Sequence, residues 1–279
     1  MIEHIVLGII QGLTEFLPVS SSGHLVILKD YLQVKETNGV LLEVVLHLGT
    51  LLSIFAVFWK DILEIFRGTI ISTLKLCSGC RPKEIWAEDQ YTRLFMLILI
   101  GTIPTGIIAL LFEDMFESLF NEPLLAAVAI LITGLILWLT KFIGVKNPGG
   151  KPLNVLRALV IGAVQGIAII PGISRSGLTI SAASYMGVSR ESAVRYSFLL
   201  SIPAIVGAVI LQARKIDVMH DKNLIPLAAG AGAAFIVGYL ALQFLIKIVQ
   251  RGRLYMFAYY CWGFGFAATI SFFLKSFYQ

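Results

Sequence analysis

The 279-residue chain is 57% hydrophobic and only 14% charged, with a mean hydropathy of +0.85, a composition too apolar for an ordinary water-soluble domain. Its net charge of +5 comes from 22 Lys and Arg scattered between apolar runs, which excludes a basic nucleic-acid-binding patch and points to membrane topology. Three cysteines exclude a disulfide framework, and the opening Met1-Ile2-Glu3-His4 carries no basic region or cleavage signal, so no removable signal peptide is expected.

In chain order, Ile5 to Ser22 is an apolar segment broken near its end by Pro18 and a serine cluster. Val44 to Trp59 is the first uninterrupted span. A hydrophilic stretch from Lys75 to Arg93 reads as the one substantial loop, and its Cys77 and Cys80 as a reduced pair, because no second ligand pair accompanies them. Leu94 to Phe112 and Pro123 to Thr140 are the next two spans. Ala158 to Ser176 is again broken, by Pro171 and Gly172, before the spans Tyr196 to Ala213, Leu224 to Ile246 and Leu254 to Leu274. The six unbroken runs hold roughly 16 to 23 residues without Asp, Glu, Lys or Arg, about what a helix needs to cross ~30 Å of hydrocarbon. The pattern predicts an all-α integral membrane protein, a single polytopic domain over 1–279, with six transmembrane helices and two re-entrant helical hairpins. Irregular backbone at membrane depth is tolerated only where protein or a wet cavity satisfies it, so the two breaks are expected to line a shared polar chamber.

Offset by 154 residues, the chain matches itself: Gly8, Gln11, Gly12, Ser20, Ser22 and Gly23 fall on Gly162, Gln165, Gly166, Ser174, Ser176 and Gly177. Two repeats follow, about 1–122 with a cytoplasmic loop at about 60–93, and about 153–279. Basic residues orient them. Segments Lys60–Arg93, Lys141–Arg157, Arg190–Arg195 and Lys247–Arg253 hold 15 Lys and Arg, against Lys29, Lys35, Arg214, Lys215, Lys222 and Lys275 on the opposite face. The richer face is expected to be cytoplasmic, which makes the repeats inverted and opens the first hairpin outward. Inverted repeats commonly carry a site near the midplane between their halves.

The chemistry concentrates at the breaks. Gln11 and Glu15 stand four apart and share a helix face. After Pro18 come Ser20, Ser21, Ser22, Gly23 and His24, a carboxylate, hydroxyls and an imidazole that are costly in lipid unless used. The second break reads Pro171-Gly172-Ile173-Ser174-Arg175-Ser176-Gly177. Its guanidinium suits a phosphate or carboxylate, and the loop amides and following helix start favour an anion. A plain Arg175–Glu15 ion pair joining the repeats is the bland reading, and it leaves room for substrate between them. Glu43 and His47, also four apart, read as supporting residues at best, and Gln165 as a polar link between helices. The inventory fits phosphoryl transfer on a lipid phosphate. Arg175 and loop amides would stabilise the phosphoryl oxygens, a serine would attack, His24 would move a proton, and Glu15, with Gln11, would hold a divalent cation.

The Gln11-xxx-Glu15 motif, the Pro18-Val-Ser-Ser-Ser-Gly-His24 run and the Pro171–Gly177 loop resemble those of the bacterial undecaprenyl-diphosphate phosphatases, also called bacitracin-resistance proteins, over essentially the whole chain. The resemblance implies hydrolysis of undecaprenyl diphosphate on the outer side of the bacterial inner membrane, recycling the carrier lipid for peptidoglycan synthesis. It also implies bacitracin resistance, dependence on Mg2+ or Ca2+ held at Glu15, and a frequent homodimer. By position Ser21 matches the nucleophile of that family, with Ser20, Ser22, Ser174, Ser176 and Gly177 among the phosphate contacts. Many of its members carry Glu where this chain has Gln11, which shifts weight to Glu15. A second lipid-phosphatase class with a histidine nucleophile needs an SRx5HxxxD run, and no His and Asp occur at that spacing after Arg175. The rival from another class is a lipid or ion carrier, since broken helices in inverted repeats also build transporters.

Overall fold

The computed structural model describes residues 1–32, 39–81, 89–143, 150–213 and 224–277, and every extended element among them is helical. Helices α1 (Ile2–Phe16) and α2 (Ser21–Leu32) flank the first break, followed by α3 (Gly39–Val57) and α4 (Trp59–Cys77). Next come α5 (Gln90–Leu111), short α6 (Glu113–Leu119) and α7 (Pro123–Leu139); α8 (Val155–Ile167) and α9 (Arg175–Tyr185) flank the second break, and α10 (Arg190–Ala213), α11 (Leu224–Gln250) and α12 (Phe257–Phe277) complete the chain.

Local chemistry sets several of these boundaries. Asp89 caps α5, accepting from the Tyr91 backbone N–H at 2.9 Å and the Thr92 hydroxyl at 2.5 Å, Asn154 caps α8 through the Arg157 N–H at 2.9 Å, and Pro123, which lacks an N–H, opens α7 at a position where the helix needs none. Five helical segments are long and apolar enough to cross a membrane, and α3 with α4 makes a sixth if the pair is one span broken by a 76° bend. Apolar side chains such as Leu52, Ile103, Leu110, Leu240, Phe266 and Ile270 stand exposed on them, as a lipid-facing surface requires.

The segment from residue 60 onward, expected to be loop, is instead α4 as far as Cys77, and the expected loop ends inside α5, which starts at Gln90. The uncharged run stops at Lys60, and from there Asp61, Glu64 and Arg67 alternate with apolar residues such as Ile62 and Ile65 that pack on the core, so the helix continues as an amphipathic one. Asp61 pairs with Arg195 of α10, whose guanidinium lies 5.2 Å from the Tyr91 ring centroid, anchoring the bend to α10 and α5. Of the basic residues used for orientation, Lys35, Lys83, Lys146, Arg214, Lys215 and Lys222 lie outside the described residues.

The strongest helix contacts are α1 with α11, α3 with α11, α7 with α12 and α5 with α8. Small residues make the first and last possible. A Cβ on Gly8 would strike the backbone of Gly230, one on Gly12 would lie 2.8 Å from both Ala234 O and Gly238 N, and one on Gly162 would strike the backbone of Gly101. Gly8 and Gly162 are the positions matched by the 154-residue offset, so each half sends its first helix into a glycine seam on a long helix of the other half, the close backbone approach by which membrane helices associate. Phe16, Ile54, Ile130, Ile180 and Phe198 fill the core beneath the two breaks, with Phe16 and Phe198 edge to face at 5.7 Å.

Candidate active site

The site begins on α1. Gln11 and Glu15 share a buried face, and the Gln11 amide donates to Glu15 Oε2 at 2.9 Å. Pro18 forces the preceding residue out of the helical region, and Leu17 is accordingly extended with φ −60° and ψ 141°. The chain turns back through Ser20, the one non-glycine residue with positive φ among those described, at 71°. Ser20 Oγ accepts from Gly23 N at 3.2 Å and so caps α2, which makes Ser21 its first residue and brings Ser21 Oγ to 2.7 Å from Glu15 Oε2 as a donor.

The second break is built the same way. Ser174 Oγ accepts from Gly177 N at 3.1 Å, capping α9 and making Arg175 its first residue. Gly172 turns at φ 94°, where a Cβ would strike the Ala126 carbonyl. Thr133 of α7 fixes this loop, donating to Gly172 O at 2.8 Å and accepting from Ser174 N at 3.1 Å. Ser20 Oγ pairs with Ser22 Oγ at 3.2 Å, and Ser174 Oγ with Ser176 Oγ at 3.3 Å.

The two tips touch. Gly172 N donates to Ser20 Oγ at 3.1 Å, a Cβ on Gly23 would meet Gly172 at 2.7 Å, and one on Gly177 would meet Pro18 at 3.1 Å. Since 18 and 172 are also matched by the 154-residue offset, these two contacts are reciprocal. Across this junction Arg175 Nη2 donates to Glu15 Oε1 at 2.5 Å. Side-chain exposure is 6% for Glu15, 18% for Arg175 and 26% for His47, so the carboxylate is the most buried of the three.

Residues 4–267 match the protein family described as bacitracin resistance protein BacA. The chain belongs to the BacA family. It is 44% identical over 267 residues to an undecaprenyl-diphosphatase of Desulfatibacillum aliphaticivorans, covering 94% of this chain and 95% of that one. An undecaprenyl-diphosphatase of Alkaliphilus metalliredigens is 43% identical over 265 residues, and one of Methanosphaera stadtmanae 39% over 265, each covering 94% of both chains.

In this BacA-family chain, then, the fold gathers Gln11, Glu15, Ser21 and Arg175 in one hydrogen-bonded group, with Ser20, Ser22, Ser174, Ser176 and Gly177 forming the two loops around it. His24, read from the sequence as the residue that moves a proton, has both ring nitrogens in contact with protein. Its Nδ1 faces the Ser20 carbonyl at 2.8 Å and its Nε2 faces the Tyr260 hydroxyl at 2.8 Å. His47, rated as support at best, lies closer to the carboxylate: Nε2 is 3.9 Å from Glu15 Oε2, and Nδ1 donates to the Glu43 carbonyl at 2.8 Å. Its i,i+4 spacing from Glu43 is the signal that finds it, whereas Thr133 and Tyr260 carry none in the sequence. Glu43 pairs with Lys29, and Gln165 links α8 to Thr105 of α5 at 3.2 Å.

Two buried polar atoms of the group, Gln11 Oε1 and Arg175 Nη1, have no hydrogen-bond partner among the described residues. Nor do three His, Cys, Asp or Glu side chains gather there as a metal set among those residues. A divalent cation would therefore have Glu15 and Gln11 Oε1 as protein ligands and take the rest of its oxygens from a phosphorylated ligand or water, a donor set of the kind Mg2+ accepts.

Proposed function

We propose that this chain hydrolyses undecaprenyl diphosphate to undecaprenyl phosphate and inorganic phosphate. The observation that carries the reading is Glu15, whose two oxygens hold Ser21 Oγ at 2.7 Å and Arg175 Nη2 at 2.5 Å. One carboxylate thus touches both a hydroxyl and the cation that an anionic substrate needs. The relatives named undecaprenyl-diphosphatase at 39% to 44% identity over nearly the full length support the substrate.

In this reading Ser21 Oγ attacks the terminal phosphorus while Glu15 Oε2 takes the hydroxyl proton. The bond from that phosphorus to the bridging oxygen breaks, and undecaprenyl phosphate leaves with the electron pair. Water then adds to the phosphoserine phosphorus, the bond to Oγ breaks, and the proton on Glu15 returns to Ser21 as dihydrogen phosphate departs. Arg175 Nη1, without a protein partner among the described residues, serves a phosphoryl oxygen throughout, aided by the starts of α2 and α9 at the junction. Glu15 and Gln11 would hold a divalent cation, which when bound would supply neutralisation of diphosphate charge.

The reading places α1–α2 and α8–α9 as two re-entrant hairpins of an inverted repeat among six spans, with α3 and α4 as the bent sixth. Helices α8 and α9 hold 13 and 11 residues, about half to two-thirds of a crossing at 1.5 Å per residue, and the reciprocal contacts of the tips support the symmetry. The excess of Lys and Arg on one face supports a bacterial inner-membrane orientation with the site opening outward, where removal of the diphosphate also confers bacitracin resistance. Purified protein in detergent, given undecaprenyl diphosphate and Mg2+ or Ca2+, releases phosphate, and Arg175→Ala or Glu15→Ala stops release. Full turnover by both variants would refute this site and favour a carrier.

A further inference from the structure

His24 is 4% exposed, and both ring nitrogens are engaged. A carbonyl oxygen cannot donate, so the contact from Nδ1 to Ser20 O at 2.8 Å puts the proton on Nδ1. In the neutral imidazole that leaves Nε2 with its lone pair, and the Tyr260 hydroxyl, 2.8 Å away, is the donor that meets it. The ring also stacks on Phe264 at 4.2 Å and 17° and on Tyr260 at 5.7 Å and 14°. With both nitrogens occupied and the ring clamped, His24 has no free proton or lone pair to offer Ser21, whose own proton points to Glu15.

What His24 holds is the strained residue before the nucleophile. Ser20 has a φ of 71°, a backbone state that persists in a residue with a Cβ only when its surroundings over-determine it. Its carbonyl takes the His24 backbone N–H at 3.2 Å as well as Nδ1, and its hydroxyl takes Gly23 N and Gly172 N. Tyr260 sits on α12, 236 residues along the chain from His24, and its hydroxyl selects the tautomer that makes the Ser20 contact possible.

We propose that Tyr260 is a positioning residue for the reaction: through His24 it fixes the left-handed backbone of Ser20 and so keeps Ser21 Oγ on Glu15. The proposal rests on the reading of Ser21 and Glu15 above. Tyr260 is 48% exposed, so Tyr260→Phe opens no cavity in the core and keeps the ring stack while removing only the donor.

The test measures kcat and KM for phosphate release from undecaprenyl diphosphate in detergent, with melting temperature alongside, for wild type, Tyr260→Phe, His24→Asn and the double variant. Asparagine keeps a donor for the Ser20 carbonyl and needs nothing from Tyr260. Tyr260→Phe lowers kcat about tenfold with KM within about twofold, and in the His24→Asn background the same change has no further effect. An unchanged kcat in Tyr260→Phe overturns the proposal, as does an equal loss in both backgrounds, which would make the phenol act on substrate directly. Should Tyr260→Phe not fold, His24→Phe supplies the other arm: it keeps an aromatic ring, takes the donor from the Ser20 carbonyl while leaving Tyr260 intact, and must show the kcat loss, so wild-type kcat there also overturns the proposal. Failure of the wild type itself to release phosphate would instead refute the hydrolase reading.

Discussion

The Glu15–Arg175 pair invites a double-mutant cycle because its two members differ in burial and in what else serves them. Arg175→Met leaves a carboxylate of 6% exposure with Gln11 and Ser21 as its remaining hydrogen-bond donors. Breaking a buried pair by removing one partner costs about 3–5 kcal/mol; those two donors and the 18% exposure on the Arg175 side set the expectation near the low end, about 3 kcal/mol. Glu15→Gln leaves the more exposed guanidinium with an amide oxygen as partner, and the loss is that of a charge-assisted hydrogen bond, about 1.5–3 kcal/mol. The double variant has no orphaned charge, so its cost falls short of the sum of the singles by about 1–3 kcal/mol. Activity follows another rule. Each single variant loses about 10²–10³ in kcat, and the double variant recovers none of it, because restoring neutrality restores neither the base nor the anion clamp. Unfolding in detergent followed by circular dichroism gives the stabilities, and phosphate release from undecaprenyl diphosphate gives the rates. Strictly additive stability costs, or a single variant turning over within about threefold of wild type, would refute the reasoning.

Ser21→Ala removes the attacking oxygen while Ser20 and Ser22 keep the turn, so turnover falls by at least about 10³ in a protein that still folds, with the melting temperature lowered only by the hydrogen bond lost to Glu15; wild-type turnover would move the attack to water. Chelation by EDTA stops phosphate release, and Gln11→Glu, which sets a second carboxylate beside Glu15, lowers the cation concentration for half-maximal rate about tenfold, as read by titration of Mg2+ or Ca2+. Gly8→Leu drives a side chain into the Gly230 backbone and abolishes recovery of folded protein on size-exclusion chromatography. Gly106→Ala, with nothing within 4 Å of the added carbon, raises stability by up to about 1 kcal/mol in the same unfolding assay.

The parts of the fold that could be read from the sequence were those with one dominant cause. Uncharged runs of spanning length marked α5, α7, α10, α11 and α12, and Pro18 and the Pro171-Gly172 pair marked the two breaks. The bend between Val57 and Trp59 has neither proline nor glycine at its break, so only the shift from uncharged to amphipathic pattern betrayed α4, and that shift was read as the start of loop. At the site, the i,i+4 spacing of Gln11 and Glu15 and the internal repeat point to residues that the fold does bring into contact, because both are local or periodic signals. The partner of His24 lies far along the chain and carries no signal: Tyr260 sits in an aromatic stretch indistinguishable from lipid-facing neighbours. Thr133 was hidden for the same reason, since a hydroxyl inside an apolar span ordinarily bonds its own helix, and only the packing of α7 on the second loop turns it toward Gly172.

The first residues of α2 and α9, Ser21 and Arg175, occupy equivalent positions 154 apart, and the partner of Glu15 under the same offset is Ile169. One half therefore contributes the hydroxyl and the negative group, the other the positive group, although both frame them with the same capping serines. Two copies of the first half would confront one carboxylate with another and have no guanidinium to balance them; two copies of the second would face arginine to arginine with nothing to accept a proton. The matched capping turns thus carry unlike chemistry, and the covalent join between the halves brings the complementary pieces together one to one.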